Sequence, residues 1–466
     1  MTILSGLTEQ IYSDRDIMGL FSGPGTIRRM LAVQAALARA QSRCGVIPDS
    51  AARSIHKVCH AEDINSILDL DAIASASMLA GNIAIPFVKQ LTAAVRQADA
   101  EAARFVHWGA TSQDVLDTAL VLQLQQVAAQ LDQDLDAAQR ACARLTATHR
   151  DTIMVGRTWL QHALPTTFGV KTAGWLEALT RSRQRLRHDA EQCALLQFGG
   201  AAGTLASLGN AAPDVARVLA EELGLALPDM PWHTHRDRLA DLAATLGVLT
   251  GTLGKIARDV SLMAQTEIAE LAEPAGPGRG GSSTMPHKRN PVSSAAILAA
   301  ATRMPPLVST MLSAMVQEHE RALGGWQAEW DVLPQICALA GGALRHLASL
   351  LDGLEVHPEN MIRNLGATNG LILAEAYALA LGGRMGRLEA HELVERASKE
   401  AVRRNCTLKV AMQEALAAHE GTRDLLGKEE LDRLSDPAAY LGQAGEVCDR
   451  VLAGWRGVGE ARRGSR

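Results

Sequence analysis

The segment Ala272–Pro291, AEPAGPGRGGSSTMPHKRNP, gathers residue types that can bind an anion and move a proton: Ser282, Ser283, His287, Lys288, Arg289 and Asn290. Four glycines and four prolines run through it, so it cannot be helical throughout. Serine is a poor base unless positive charge favours its ionised form. Lys288, Arg289, His287 and the N-terminus of a helix beginning near Pro291 could supply that charge and attract carboxylates. A phosphate-binding loop is excluded, because Gly281 is followed by Ser282-Ser283 rather than Lys-Ser or Lys-Thr. An ordinary Gly/Pro connector is the plain alternative. The residue types favour a loop for a polycarboxylate.

Two further segments carry similar chemistry: His107–Asp114, HWGATSQD, and Gly156–Thr167, GRTWLQHALPTT. With Gly281–Pro291, GSSTMPHKRNP, they resemble, in order, the signature regions of the fumarase/aspartase superfamily, whose loop reads GSSxMPxKxNP. The likeness covers nearly the whole chain. It implies an all-α, three-domain fold with a central long-helix bundle, assembled as a homotetramer with a 20-helix core and active sites shared between subunits. It also implies that Ser282 handles the proton alpha to a carboxylate, while Lys288 and Asn290 hold that carboxylate and stabilise the aci-carboxylate dianion. Thr111 and Ser112 would bind another carboxylate, and Thr158, Trp159, Gln161, His162 and Met285 would complete the substrate site. No cofactor or metal is implied.

Trp159 departs from the family pattern. Most members place a His here to assist proton transfer at the leaving group, which indole cannot do. A leaving carboxylate, with a pKa of about 4, needs no proton. In reverse, a carboxylate nucleophile needs no base. The resemblance therefore implies a lactonising member, in which a substrate's own carboxylate adds to a double bond. The segments Phe198–Thr204, Trp232–Arg238 and His319–Trp330 resemble the same branch. A lyase of the adenylosuccinate type is the rival. Its nucleotide contacts would fall at Ile11, Gly81-Asn82, Trp326 and Trp330, where a phosphate dianion would face indoles at high cost. A non-catalytic relative rests on Trp159 alone, against the retained Ser282, Lys288, Asn290, Thr111 and Ser112. A related lactonising substrate, with a sulfonate in place of one carboxylate, is a further alternative.

Other polar residues divide between roles. Arg321 is a candidate carboxylate clamp, and His162 is an orienting donor or a structural histidine. His233 and His235 form HxH without an evident third ligand. Trp326 and Trp330 are core or pocket, and Gln113 and Asp114 are expected to cap a helix.

That helix is the main positioning element. Between Asp114 and Val155 there is no Gly or Pro, and Leu116, Leu120, Leu124, Val127, Leu131, Leu135, Ala138, Cys142 and Leu145 trace one stripe. A helix from Asp114 to Arg150 would be roughly 55 Å long. Thr111 and His162 would then sit at its opposite ends, so a common pocket needs neighbouring subunits. Similar patterns at Phe168–Leu196 and Leu239–Leu271 predict an antiparallel bundle. Shorter helices are expected at Gly25–Ala40 and Asp71–Ala94. Val356–Asn360 reads as a break and N-cap, and Arg456–Arg466 as a frayed tail. The expected domains are 1–110, 111–355 with the loop 272–291, and 356–466.

Composition narrows the class. The chain has 466 residues, a formal charge of -5, 47% hydrophobic and 21% charged residues, which disfavours disorder and non-specific nucleic-acid binding. No targeting segment is evident at the start, and each apolar run looks interrupted before it could span a bilayer, so a cytoplasmic protein is expected. The seven cysteines are scattered, without CxxC spacing, and are expected to be reduced. Aromatics at 3% point away from strands.

Overall fold

Residues Ser112–Thr148 form one unbroken helix of 37 residues, as the lack of Gly and Pro predicts. The computed structural model describes residues 7–276, 278–281, 284–285, 287–418 and 421–463. The helix begins two residues earlier than expected. From Leu124 to Cys142 the apolar stripe is buried, but Leu116 and Leu120 are only half-buried. There the inward positions belong to Gln113, Asp114, Asp117 and Thr118, all at most 2% exposed. Burying polar groups is tolerable only with partners, which the site supplies.

The chain divides into two compact units: residues 1–135, 182–254 and 296–346, and residues 136–181, 255–295 and 347–466. In the first, helices Gly23–Arg43, Asp49–Cys59 and Ala84–Ala98 bury Ile27, Met30, Leu31, Ile55, Phe87 and Leu91 in one core. The expected helix Asp71–Ala94 is split, because Gly81 at φ 74° caps Leu70–Ala80 in the left-handed region before Ala84–Ala98 starts. In the second, Ala374–Met385, Arg387–Arg404 and Leu408–Ala417 close a separate core around Tyr377, Leu381, Leu393 and Met412.

The long helices Phe168–Cys193, Asp237–Met263, Val292–Ala314 and Gly325–Asp352 complete the helical framework. Two of them correct the bilayer argument: Asp237–Met263 and Val292–Ala314 are long and apolar enough to cross a membrane by length and composition. In the first, 61% of the most apolar window is buried within the chain; in the second, 28% is.

The all-helical expectation also needs amending. Ile153–Thr158 (β1) and Gln161–Thr167 (β2) pair antiparallel, and Leu271–Ala272 (β3) pairs with Glu355–Val356 (β4). The signature GRTWLQHALPTT is thus a hairpin, formed where β-branched residues flank a two-residue turn. After β4, the helix Pro358–Leu365 starts from His357 without a side-chain cap; Asn360 lies inside it and donates to the Ala269 carbonyl. The C-terminal helix Ala444–Arg463 extends well into the expected frayed tail.

Candidate active site

In the first unit the signature His107–Asp114 enters the long helix through a tight turn, with His107 at φ 60° and Gly109 at φ 73°. A Cβ on Gly109 would lie 2.7 Å from the Leu208 side chain. Asp114 reaches back to accept the Thr111 N–H at 3.0 Å, half of a capping box. Its role exceeds the predicted cap, because the same carboxylate also accepts the N–H groups of Gly199 and Gly200, each at 2.9 Å, and meets His233 Nε2 at 2.9 Å. Gln113 does not cap; it donates to Asp117 and to the His233 carbonyl.

Thr111 and Arg321, 210 residues apart, are brought together: Arg321 Nη1 donates to Thr111 Oγ1 at 2.9 Å, and Nη2 to the Ala201 carbonyl at 3.2 Å. Arg321 Nε is buried without an acceptor among the described residues. Ser112 is half-buried beside Thr111. His107 Nδ1 faces Gln34 Nε2 at 2.8 Å, and burial pushes its pKa down.

One turn along the helix, Asp117 accepts both Nη groups of Arg236, at 2.6 and 3.1 Å, and the Trp326 indole N–H at 3.1 Å. Glu329 takes Arg236 from its other side, with Nη2 at 2.5 Å and Nε at 3.0 Å. Burial alone would lower the Arg236 pKa, but the two carboxylates hold it above its ordinary value, so the guanidinium stays charged. Trp326 is therefore core at 3% exposure, while Trp330, stacked edge-on at 4.9 Å, is 38% exposed.

In the second unit, β1 and β2 display the other signature. Trp159 and Leu160 form the tip at φ 53° and 64°, both left-handed, as a type I′ turn requires. Non-glycine residues pay conformational energy there, which commonly marks a functional position. Trp159 is 97% exposed and Thr158 and Gln161 are also exposed. Across the strands Arg157 opposes His162. Arg157 is anchored by two bonds, 2.9 and 2.7 Å, to Glu270, which is fully buried and also accepts from Asn364 at 3.0 Å. His162 is half-buried and its Nδ1 has no partner among the described residues. Burial, then the nearby Arg157 charge, lowers its pKa, with Glu270 opposing.

The loop 272–291 belongs to the same unit. Ser282 and Ser283 are outside the described residues. Gly280, at φ 66°, lets the loop ends meet: the Asn290 N–H donates to its carbonyl at 2.8 Å, and a Cβ there would sit 2.7 Å from the Asn290 oxygen. Met285 and Lys288 are exposed, and the Lys288 ammonium has no acceptor among the described residues.

Two sequence expectations are corrected here. Arg289 is not a free cation for the serine, because it is paired bidentately with Glu355 at 2.9 and 2.7 Å. Nor is the N-terminus of Val292–Ala314 open to a substrate anion: Glu273 accepts the N–H of Ser293 at 2.9 Å and of Ser294 at 2.7 Å. Sequence reasoning missed Asp117, Glu270 and Glu273 entirely. Asp117 could have been found as a second acid one turn after Asp114; Glu270 and Glu273 carry no such local signal.

The description "Lyase" fits the family pattern matched by residues 11–305. The chain belongs to this lyase family. Residues 370–451 of this lyase match a second pattern, described as adenylosuccinate lyase C-terminus. Among curated relatives, the 3-carboxy-cis,cis-muconate cycloisomerase of Pseudomonas aeruginosa is 54% identical over 94% of this chain and 94% of its own. The protein of the same name from Bradyrhizobium diazoefficiens is 50% identical over 97% of this chain and 98% of its own. The crystal structure of 3-carboxy-cis,cis-muconate lactonizing enzyme from Pseudomonas putida superposes with a TM-score of 0.90 at 46% identity, covering 97% of this chain and 99% of that one.

Proposed function

We propose that this lyase is a 3-carboxy-cis,cis-muconate cycloisomerase, interconverting that substrate with 4-carboxymuconolactone in the protocatechuate branch of aromatic degradation. One observation carries the reading: likeness to cycloisomerases at 54% and 50% identity extends over almost the whole chain. Trp159 at the hairpin tip agrees with it, since other leaving groups would call for a proton-transferring His. The adenylosuccinate-type reading is disfavoured by the same indole and by Trp326, whose N–H is committed to Asp117.

In the lactonising direction a substrate carboxylate oxygen forms a C–O bond to one alkene carbon. The displaced π pair moves into the neighbouring carboxylate, giving an aci-carboxylate dianion. Lys288 and Asn290 hold that group and offset its charge; Ser282 then delivers a proton to the alpha carbon. No group is lost, so the reaction is an isomerisation. Thr111, Ser112 and Arg321 hold a second carboxylate, and Thr158, Trp159, Gln161, His162 and Met285 shape the remainder. With Arg289 committed to Glu355, Lys288 is the loop cation assigned to the reacting carboxylate.

The domains are read as 1–110, 111–355 and 356–466, and the assembly as a cytoplasmic homotetramer with a 20-helix core. Two features support it: a 37-residue helix is about 55 Å long, and the apolar helix Val292–Ala314, with Leu312 exposed and Val316 just beyond it exposed, calls for cover. Each site would draw Thr111, the hairpin and the loop from different copies.

Purified protein should remove the ultraviolet absorbance of the conjugated diene of 3-carboxymuconate, undiminished by chelator. Turnover of adenylosuccinate alone, or dependence on a metal, would overturn the reading.

A further inference from the structure

A closed ring of bonds surrounds Thr111. Asp114 Oδ2 accepts the Thr111 N–H at 3.0 Å and the Gly200 N–H at 2.9 Å. Arg321 Nη1 donates to Thr111 Oγ1 at 2.9 Å and Nη2 to the carbonyl of Ala201, the residue after Gly200, at 3.2 Å. The ring thus runs from Asp114 through Thr111, Arg321 and Ala201 to Gly200 and back. Asp114 Oδ1 fixes it further, accepting the Gly199 N–H at 2.9 Å and facing His233 Nε2 at 2.9 Å.

The glycine turn is moulded to this carboxylate. Gly200 adopts φ 66°, and a Cβ on Gly199 would meet Pro231 at 2.7 Å and His233 at 2.9 Å. In this ring the Thr111 hydroxyl hydrogen and the Arg321 Nε–H stay uncommitted among the described residues. Because Thr111 Oγ1 accepts from Arg321, its hydroxyl hydrogen is free to donate; Arg321 Nε is buried without an acceptor. A buried donor without an acceptor is costly, and a carboxylate could take both.

We propose that Asp114 is the positioning residue of a substrate-carboxylate subsite formed by Thr111 and Arg321. It never touches substrate; its charge gathers Thr111 and the 199–201 turn so that Arg321 is forked between them. This rests on the proposed function for the assignment of Thr111 and Arg321 to a substrate carboxylate. A capping role alone would leave Gly199, Gly200 and His233 without a reason to converge on the same group.

The test is a double-mutant cycle of Asp114→Asn and Thr111→Val in the full-length protein, with activity on 3-carboxymuconate and amide hydrogen exchange of residues 197–205. Asparagine keeps the shape but removes the charge and one acceptor. Asp114→Asn should lower kcat/KM at least about 100-fold, chiefly through KM, and raise exchange in the glycine turn. In the Thr111→Val background it should cost less than about threefold, because the group it positions is gone. Losses that multiply independently, or unchanged exchange, overturn the proposal. Should Asp114→Asn fail to fold, Arg321→Met opens the same ring from its less buried side and must show the same coupling to Thr111→Val. If wild-type protein does not convert 3-carboxymuconate, the proposed function fails. Exchange, with calorimetric binding of propane-1,2,3-tricarboxylate to wild type and variant, then still decides the role of Asp114: equal affinity and equal exchange would refute it.

Discussion

Glu273 receives both the backbone N–H and the hydroxyl of Ser294, each at 2.7 Å, so the helix Val292–Ala314 is capped by the chain's own carboxylate. Glu273 is 8% exposed, and its loss would leave the first N–H groups of a buried helix end without acceptors. Glu273→Ala should destabilise the protein by about 1–2 kcal/mol, the typical worth of an N-terminal cap. Chemical denaturation measures this; an unchanged midpoint would show that solvent replaces the cap without cost.

Ser282→Ala should lower kcat by about 10²–10⁴-fold, the usual contribution of a general acid-base group, with helicity unchanged. Ser283→Ala should do much less. Lys288→Met should impair both KM and kcat, because its charge acts in ground and transition states. Equal losses for the two serine variants would displace Ser282 from its role.

At the hairpin tip, shape rather than proton transfer is assigned to Trp159. Trp159→Phe should keep much of the activity, and Trp159→His should not accelerate lactonisation, since a carboxylate nucleophile needs no base. A large rate gain in the His variant would contradict the leaving-group argument.

Shared sites can be tested by complementation. Inactive Ser282→Ala and strongly impaired Thr111→Val proteins, dissociated and reassembled together, should exceed the activity of either alone, because some sites then draw both intact segments from different copies. Full activity in a sedimenting monomer, or no recovery in confirmed hybrids, would exclude shared sites.

Acid stability has a local source in Asp132, which Arg183 grips at 2.8 and 2.9 Å. Burial opposes ionisation there, but bonds from Arg183 and Arg187 outweigh it and bring the pKa down to about 2. A depressed carboxylate pKa contributes stability above the unfolded value near 4, and loses it as pH falls towards 2. Wild type should therefore exceed Asp132→Asn in stability by about 2 kcal/mol at pH 7. The gap should narrow between pH 4 and 2; a gap independent of pH would place the effect in packing instead.

The long helices and the signature segments are legible in the sequence, because both depend on neighbours along the chain. The apolar stripe from Leu116 to Leu145, free of Gly and Pro, needs no distant partner to be legible as helix, and GSSTMPHKRNP is a contiguous string. How charge is distributed around those segments follows only from the packed fold. Asp114 looks like a cap until Gly199, Gly200 and His233 converge on it, and Arg289 looks like a free cation until Glu355 takes it. Glu273 fills a helix end that looked open to substrate. Arg157 meets Glu270 across 113 residues, which no local pattern encodes. For Asp114, Glu273 and Glu270 a buried charge must be neutralised, and for the exposed Arg289–Glu355 pair proximity is enough; in each case the partner is chosen by which backbones packing brings together, a property of the fold rather than of spacing along the chain.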